Sequence, residues 1–93
     1  MIRWRTLGRL AIQQARLFER KPYSYWVARE HDFPINGRKM VNLPGKGPVE
    51  IQIEITLYEL NTEYVQMGVS VEDGWISAYC PPTCSIVIRA ETG

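Results

Sequence analysis

The chain has 93 residues and a formal net charge of +1, and 45% of its residues are hydrophobic. This length suits one small domain with one core, and the hydrophobic share excludes a disordered chain. No apolar run approaches the roughly 20 residues that a membrane-spanning helix needs, and no secretory signal pattern is present. These features predict one domain over residues 1–93, in the cytoplasm and without a membrane span.

The charge is unevenly distributed along the chain. Residues 1–48 contain ten Lys and Arg against three acids, a balance of +7, whereas residues 49–93 contain Arg89 alone against seven acids, a balance of −6. Two explanations are open. Either the basic half packs across an acidic sheet within one molecule, or the asymmetry attracts a charged partner.

The N-terminal stretch has the periodicity of an amphipathic helix, predicted over residues 3–20 and ended by Lys21-Pro22. At about 100° per residue, one broad arc is apolar and Ile12 lies outside it. We expect the apolar arc to cover a sheet, while an organelle transit peptide and a membrane-surface helix are alternatives. The apolar arc contains Trp4, Leu7, Leu10, Ala11, Ala15, Leu17 and Phe18, and the opposite side carries an arginine stripe of Arg5, Arg9, Arg16 and Arg20.

Residues 22–48 give weaker signals and are predicted to form an irregular or hairpin insert between helix and sheet. Asn36-Gly37 is a typical two-residue turn, which predicts a short hairpin around it, and Pro34 would confine its strand to a sheet edge. Residues 44–48 form a loop with two glycines and a lysine. That loop leads into a strand, whereas a phosphate-binding P-loop leads into a helix.

Residues 49–89 alternate between apolar and polar side chains, which is typical of half-buried strands. The alternation predicts strands over 49–60 and 65–71, a turn at Asp73-Gly74, and further strands at 75–80 and 84–89. Short connections make sequential strands neighbours. The predicted fold is therefore α+β, with the N-terminal helix packed on one face of a four-stranded antiparallel meander sheet.

The sequence contains no recognisable catalytic constellation. Cys80 and Cys84 flank a Pro-Pro-Thr turn, and reduced core thiols, a disulfide, or redox or metal chemistry are all open interpretations. His31 is the one histidine. Glu50 and Glu54 would lie about 13 to 14 Å apart on one strand, too far for a glycosidase pair. We therefore expect a non-enzymatic protein with no cofactor and no metal.

The sheet face opposite the helix is predicted to be a partner-binding surface, because exposed aromatic side chains among polar ones are typical of interfaces. Tyr23, Tyr25 and Trp26 could instead fold back and bury it. The favoured hypothesis is a protein-interaction domain that binds a partner protein or a second copy through this face or an edge strand. The candidate partner-binding residues are Tyr58, Tyr64, Trp75, Tyr79, Glu50 and Glu54.

Nucleic-acid binding through the arginine stripe is the alternative function. Arg38, Lys39 and Lys46 would add to the positive surface. The near-zero net charge, the acidic sheet and the lack of an RNA-recognition signature argue against it.

Overall fold

The computed structural model of the protein describes residues 3–74 and 81–90. The strands form one antiparallel sheet in the order β1-β2-β3-β4, and α1 packs against it. The predicted α+β fold, a helix on one face of a four-stranded meander, is confirmed. Its elements are α1 (Trp4–Phe18), α2 (Tyr23–Val27), a 3₁₀ turn (Glu30–Asp32), β1 (Ile35–Leu43), β2 (Gly47–Leu60), β3 (Tyr64–Glu72) and β4 (Thr83–Arg89).

One hydrophobic core joins α1 to the sheet. Leu7, Leu10, Ala11 and Ala15 of α1 are buried together with every second side chain of the central strands. Because strand side chains alternate between the two faces, this period places these buried aliphatic residues on the face under the helix. Each fully buried aliphatic contributes about 1.5–3 kcal/mol. The inward-facing residues of the sheet core are Ile51, Ile53, Ile55, Val65, Met67, Val69, Val71 and Ile86.

The buried stripe of α1 is narrower than the predicted apolar arc. Trp4 is 60% exposed and Leu17 is 42% exposed, so their predicted places in the core are wrong. Both lie at the margins of the stripe, whereas Gln14 near its centre is buried. Ile12 is exposed, as its position outside the arc predicted.

The hairpin predicted around Asn36-Gly37 is wrong. Both residues lie inside β1 and pair with β2, and Gly37 does not have the positive φ that such a turn requires. The chain turns instead after Leu43, where Gly45 and Gly47 have φ values of 77° and 72°. Glycine adopts this conformation readily, so the later turn sets the register of a long hairpin. Residues 35–43 therefore add an edge strand to the sheet.

The aromatic residues between α1 and β1 pack on the helix side of the sheet. Trp26 is 1% exposed, and its ring centroid lies 6.1 Å from that of Phe18, 4.9 Å from that of Tyr25 and 6.2 Å from that of Phe33. The Tyr23 hydroxyl donates a hydrogen bond to a backbone carbonyl of the β2–β3 connection. These rings therefore close one end of the core and do not cover the opposite sheet face.

The strand predicted over residues 75–80 lies outside the described residues. Among the described strands, β4 neighbours β3, with Val69 opposite Cys84. The Val71 amide also donates a hydrogen bond of 3.2 Å to the Pro82 carbonyl. β4 therefore forms the second edge of the described sheet, across from β1.

Candidate functional site

The sheet face turned away from α1, here called the outer face, is mostly polar. The strand register and the alternation of side chains define its members. Its large exposed apolar side chains are Met40, Tyr58 and Val87, which lie on three different strands. The polar members described on the outer face are Asn36, Arg38, Asn42, Glu50, Gln52, Glu54, Thr56, Glu59, Tyr64, Gln66, Ser70, Glu72, Thr83, Ser85 and Arg89.

The two predicted carboxylates lie on the outer face and already have neighbours there. Glu50 Oε1 lies 4.0 Å from Arg38 Nη1, and Glu54 accepts a hydrogen bond of 3.3 Å from the Thr56 hydroxyl. Both carboxylates are exposed. Exposed pairs of this kind contribute about 0–1 kcal/mol, so they set surface charge more than stability.

Tyr58 lies on the outer face because of a β-bulge. It is the extra residue between Leu57 and Glu59, where the β2–β3 register shifts. Its ring covers Gly68 of β3, and a Cβ added at Gly68 would overlap that ring, with the ring's Cε2 only 2.9 Å away. Tyr58 is still 50% exposed, so one side of the ring packs on backbone and the other meets solvent.

Tyr64 is engaged with the end of β2. Its hydroxyl donates a hydrogen bond of 2.7 Å to Glu59 Oε2, and this bond to a carboxylate is the main reason that the pKa of the Tyr64 phenol is raised above its ordinary value of 10.0. Of the other predicted partner-binding residues, Trp75 and Tyr79 lie outside the described residues. In the described part, the structure does not bring the aromatic residues together into one patch.

The arginine stripe is exposed: Arg5, Arg9 and Arg16 lie on the solvent side of α1, and Arg20 lies in the turn just after its end. Arg5, Arg9, Arg16 and Arg20 form no ion pair with any residue in the described ranges 3–74 and 81–90. The core separates them from the carboxylates of the outer face. The stripe is therefore uncompensated in the described part of the domain, whereas Arg38, also in the basic half, has its Nη1 4.0 Å from Oε1 of Glu50 in the acidic half.

A groove that the sequence did not reveal runs between α1 and β4. Trp4, Gly8 and Ile12 line one wall, residues 82–85 line the other, and Arg5 and Arg9 also border it. The groove, here called the α1–β4 groove, has a volume of about 640 Å³. It combines two exposed large apolar side chains, Trp4 and Ile12, with an edge strand.

The two edges of the described sheet differ in how they are protected. Natural edge strands usually carry charged residues or proline, which discourage pairing with another chain. β1 carries Arg38 and Lys39 and is preceded by Pro34, and β4 is likewise preceded by a proline, Pro82. β4 has the sequence TCSIVIR, with Arg89 at its end as its one charged residue. In the described part of the chain, β4 is therefore the edge strand with fewer charged residues, and the groove lies beside it.

Two features of the sequence are related to the groove, but they were not sufficient to predict it. Ile12 broke the amphipathic pattern of α1, and Gly8 is a poor helix former in the middle of it. A Cβ at Gly8 would meet nothing within 4 Å, so glycine is not required there by packing. The groove exists because β4, distant in sequence, lies beside that flank of α1.

In the described residues, the cysteine, the histidine and the acidic side chains do not come together as a catalytic or metal-binding cluster. Cys84 is a partly buried free thiol in the groove, and Cys80, on the other side of the Pro-Pro-Thr turn, lies outside the described ranges. His31 is exposed, and its Nε2 lies 3.5 Å from Oε1 of Glu30. Among residues 3–74 and 81–90, no group of three or more potential metal ligands occurs. The helices in that part of the chain are also too short or too polar to cross a bilayer.

Comparison of the chain with protein-family models, with curated proteins and with solved structures finds no significant match.

Proposed function

We propose that this chain is a small, non-enzymatic protein-interaction domain that binds an extended segment of a partner protein by strand addition at β4. The observation that carries the proposal is the edge of β4, which has one charged residue and no described strand on its outer side, next to the α1–β4 groove. In this recognition mode, main-chain hydrogen bonds supply affinity and pockets for alternate side chains supply specificity. The cytoplasmic location remains a prediction from the sequence.

The geometry supports both parts of such recognition. β4 hydrogen-bonds to β3 on one side, and no described strand lies on its other side. Alternate side chains of an added strand would point towards the inner side of the sheet, where Trp4 and Ile12 are exposed. Tryptophan is enriched among residues that dominate binding energy, so Trp4 is the expected anchor.

The outer face is the less suitable surface in the described part of the chain. Tyr58 covers Gly68, Tyr64 is bound to Glu59, and Met40 lies on the far edge strand. An interface needs a continuous core of contacts with a polar rim around it. The groove offers that continuity next to free backbone groups.

Selection from a displayed library of random peptides, with the full chain as target, tests the proposal. We expect enrichment of extended sequences with apolar residues at alternate positions. Binding should protect the amides of β4 from hydrogen exchange, because their outward N–H groups would become bonded. Failure to enrich such peptides, or protection on β1 in place of β4, would contradict the proposal.

Gly8 provides a matched set of variants for the same assay. Gly8→Leu should narrow the groove and weaken binding, because a Cβ added at Gly8 meets nothing within 4 Å and the leucine would extend into the groove that Gly8 lines. Gly8→Ala should retain binding. Gln13→Leu adds the same side chain on an exposed position of α1 outside the groove, and it should bind like the wild type. Circular dichroism would show that each variant is folded.

Nucleic-acid binding is the second candidate function, favoured by the unpaired arginine stripe. If the chain binds nucleic acid, its affinity should fall steeply as the salt concentration rises. Replacement of Arg9 or Arg16 by alanine should weaken binding to all nucleic-acid sequences alike. A filter-binding titration in rising salt with single-stranded and double-stranded probes measures this. Affinity that does not respond to salt would exclude this function.

A further inference from the structure

A second cleft lies between the last turns of α1 and the inner face of β1, at the sheet edge across from β4. The first half of α1 borders β4, whereas its end borders β1. This cleft, here called the α1–β1 cleft, has a volume of about 320 Å³. Small-molecule sites have volumes of about 300–1,000 Å³. The lining includes Gln14 and Phe18 of α1, Gly37 and Lys39 of β1, and Ile53 and Ile55 of β2.

The cleft is open because Gly37 has no side chain. Gly37 pairs with Ile53, whose buried side chain faces α1, so a side chain at position 37 would point to the same inner face. A Cβ added there would meet nothing within 4 Å, and the φ of Gly37 is not positive. Neither a turn nor a close contact therefore requires glycine at this position, and its effect is to leave space beside Ile53.

Gln14 brings an unused polar group to this cleft. The residue is only 4% exposed, yet its side-chain amide forms no hydrogen bond with any described residue. A primary amide offers two donors and one acceptor, and burial without partners is unfavourable for such a group. A ligand with a hydroxyl group inside the cleft would supply the missing partner.

Lys39 gives the cleft a positive charge. It lies opposite Ile51 on the inner face, is exposed, and forms no ion pair with a described residue. Arg38 also borders the cleft, but its side chain points to the outer face, near Glu50. No described acidic residue lines the cleft. An anionic group of a ligand would therefore be attracted to Lys39, whereas a cationic group would be repelled.

We propose that the α1–β1 cleft binds a small aromatic carboxylic acid that carries a hydroxyl group on its ring. The ring packs on Phe18 and on the isoleucines of β2, because aromatic rings pair favourably with one another. The ring hydroxyl bonds to the Gln14 amide, and the carboxylate pairs with Lys39. An apolar site with a few polar groups that fix the ligand's orientation is typical of small-molecule binding.

Two other occupants fit the cleft less well. A long acyl chain has no polar group along its length for Gln14 to bond. A second copy of this chain, paired through β1, would bring Arg38 and Lys39 of the two edge strands together, and charged edge residues discourage such pairing. The α1–β1 cleft lies at the other edge of the sheet from β4, so this inference does not depend on the proposed function.

The test is a titration of three probes into the isotope-labelled full chain, followed by the NMR shifts of its amides. Para-hydroxyphenylacetate should bind with a dissociation constant of about 1 mM, which is typical of so small a ligand. Phenylacetate lacks the hydroxyl group and should bind roughly two- to tenfold more weakly. Tyramine has an ammonium group in place of the carboxylate and should bind about tenfold more weakly. The largest shifts should occur at Gln14 and Gly37.

Matched variants assign each part of the ligand to a residue. Gly37→Ile should narrow the cleft and weaken binding about tenfold or more, whereas Asn42→Ile, on the outer face of the same strand, should bind like the wild type. Gln14→Leu should make para-hydroxyphenylacetate and phenylacetate bind equally. Lys39→Gln should remove the preference for the acid over tyramine. Arg16→Gln, which removes the same charge from the solvent side of α1, should retain that preference. Circular dichroism would show that each variant is folded.

Several results would overturn the inference. Tyramine that binds as tightly as para-hydroxyphenylacetate would refute the preference for an acid, and equal binding of phenylacetate would refute the role of Gln14. Binding that Gly37→Ile leaves unchanged, or shifts centred on the α1–β4 groove, would place the ligand elsewhere. The absence of saturable shifts with all three probes would remove the site. A dimer in light scattering that Gly37→Ile dissociates would assign the cleft to a second copy. None of these results bears on strand addition at β4, which the peptide selection and the Gly8 variants test separately.

Discussion

Substitution of Gly68 should have opposite effects on stability depending on whether Tyr58 is present. An alanine methyl group at Gly68 would overlap the far end of the Tyr58 ring, so the ring must shift away from β3. In a strand, alanine is otherwise preferred over glycine by roughly 0.5–1 kcal/mol, because glycine loses more conformational freedom on folding. The sign of the change therefore depends on the cost of displacing the ring.

The cost of displacement follows from the burial of the ring. Tyr58 is 50% exposed, so about half of its side-chain surface, roughly 100 Å², is buried. At about 25 cal/mol per Å², full loss of that burial costs up to ~2.5 kcal/mol. Gly68→Ala should therefore destabilise the wild type by about 1–2 kcal/mol. In a Tyr58→Ala background, the same change should stabilise the protein by roughly 0.5–1 kcal/mol.

Urea unfolding of the four proteins in this double-mutant cycle measures the effect, with m-values compared to verify that the unfolding transition is unchanged. The coupling between the two positions should be about 2 kcal/mol. Equal destabilisation of both backgrounds by Gly68→Ala would refute the reasoning, because it would show that the Tyr58 ring does not occupy the space above Gly68.

Three further predictions concern the core, helix α1 and the end of β2. Trp26→Ala should cost about 3–5 kcal/mol in urea unfolding, because it empties a fully buried site. Gly8→Ala should raise the free energy of unfolding by up to ~1 kcal/mol, measured in the same way, since it improves a helix interior without a clash. The phenol pKa of Tyr64, followed by NMR, should lie above 10.0 and fall towards it in Glu59→Gln. Because the folded state holds this proton more tightly, that contribution to stability is present below pH 10.0 and is lost as the pH rises through the folded pKa.

Local patterns in the sequence were enough to predict the fold class. The alternation from Val49 to Leu57 and from Val65 to Val71 placed the aliphatic residues on one face, and β2 and β3 bury that face as expected. The helical period predicted over residues 3–20 identified α1, which spans Trp4–Phe18. Such periods follow from backbone geometry alone, so they can be read from neighbouring residues without knowledge of the fold.

The predictions from the sequence were wrong where the structure depends on contacts between distant parts of the chain. Asn36-Gly37 had the composition of a turn, but pairing with β2 and the turn at Gly45 and Gly47 placed it inside a strand. The exposed position of Trp4 depends on how far the buried stripe of α1 extends. A local signal cannot show which of two possible turns gives the better register for the whole sheet.

The candidate site also has features that could be predicted from the sequence and features that could not. The sequence by itself determined the arginine stripe, the exposure of Ile12 and the alternation of the strands, because each is a property of one element. Only the tertiary structure decided that Ile12, Gly8 and Trp4 lie beside β4, and that the stripe and the carboxylates of the outer face lie on opposite sides of the core. A groove between two elements depends on their relative position, which is set by the packing of the core beneath them.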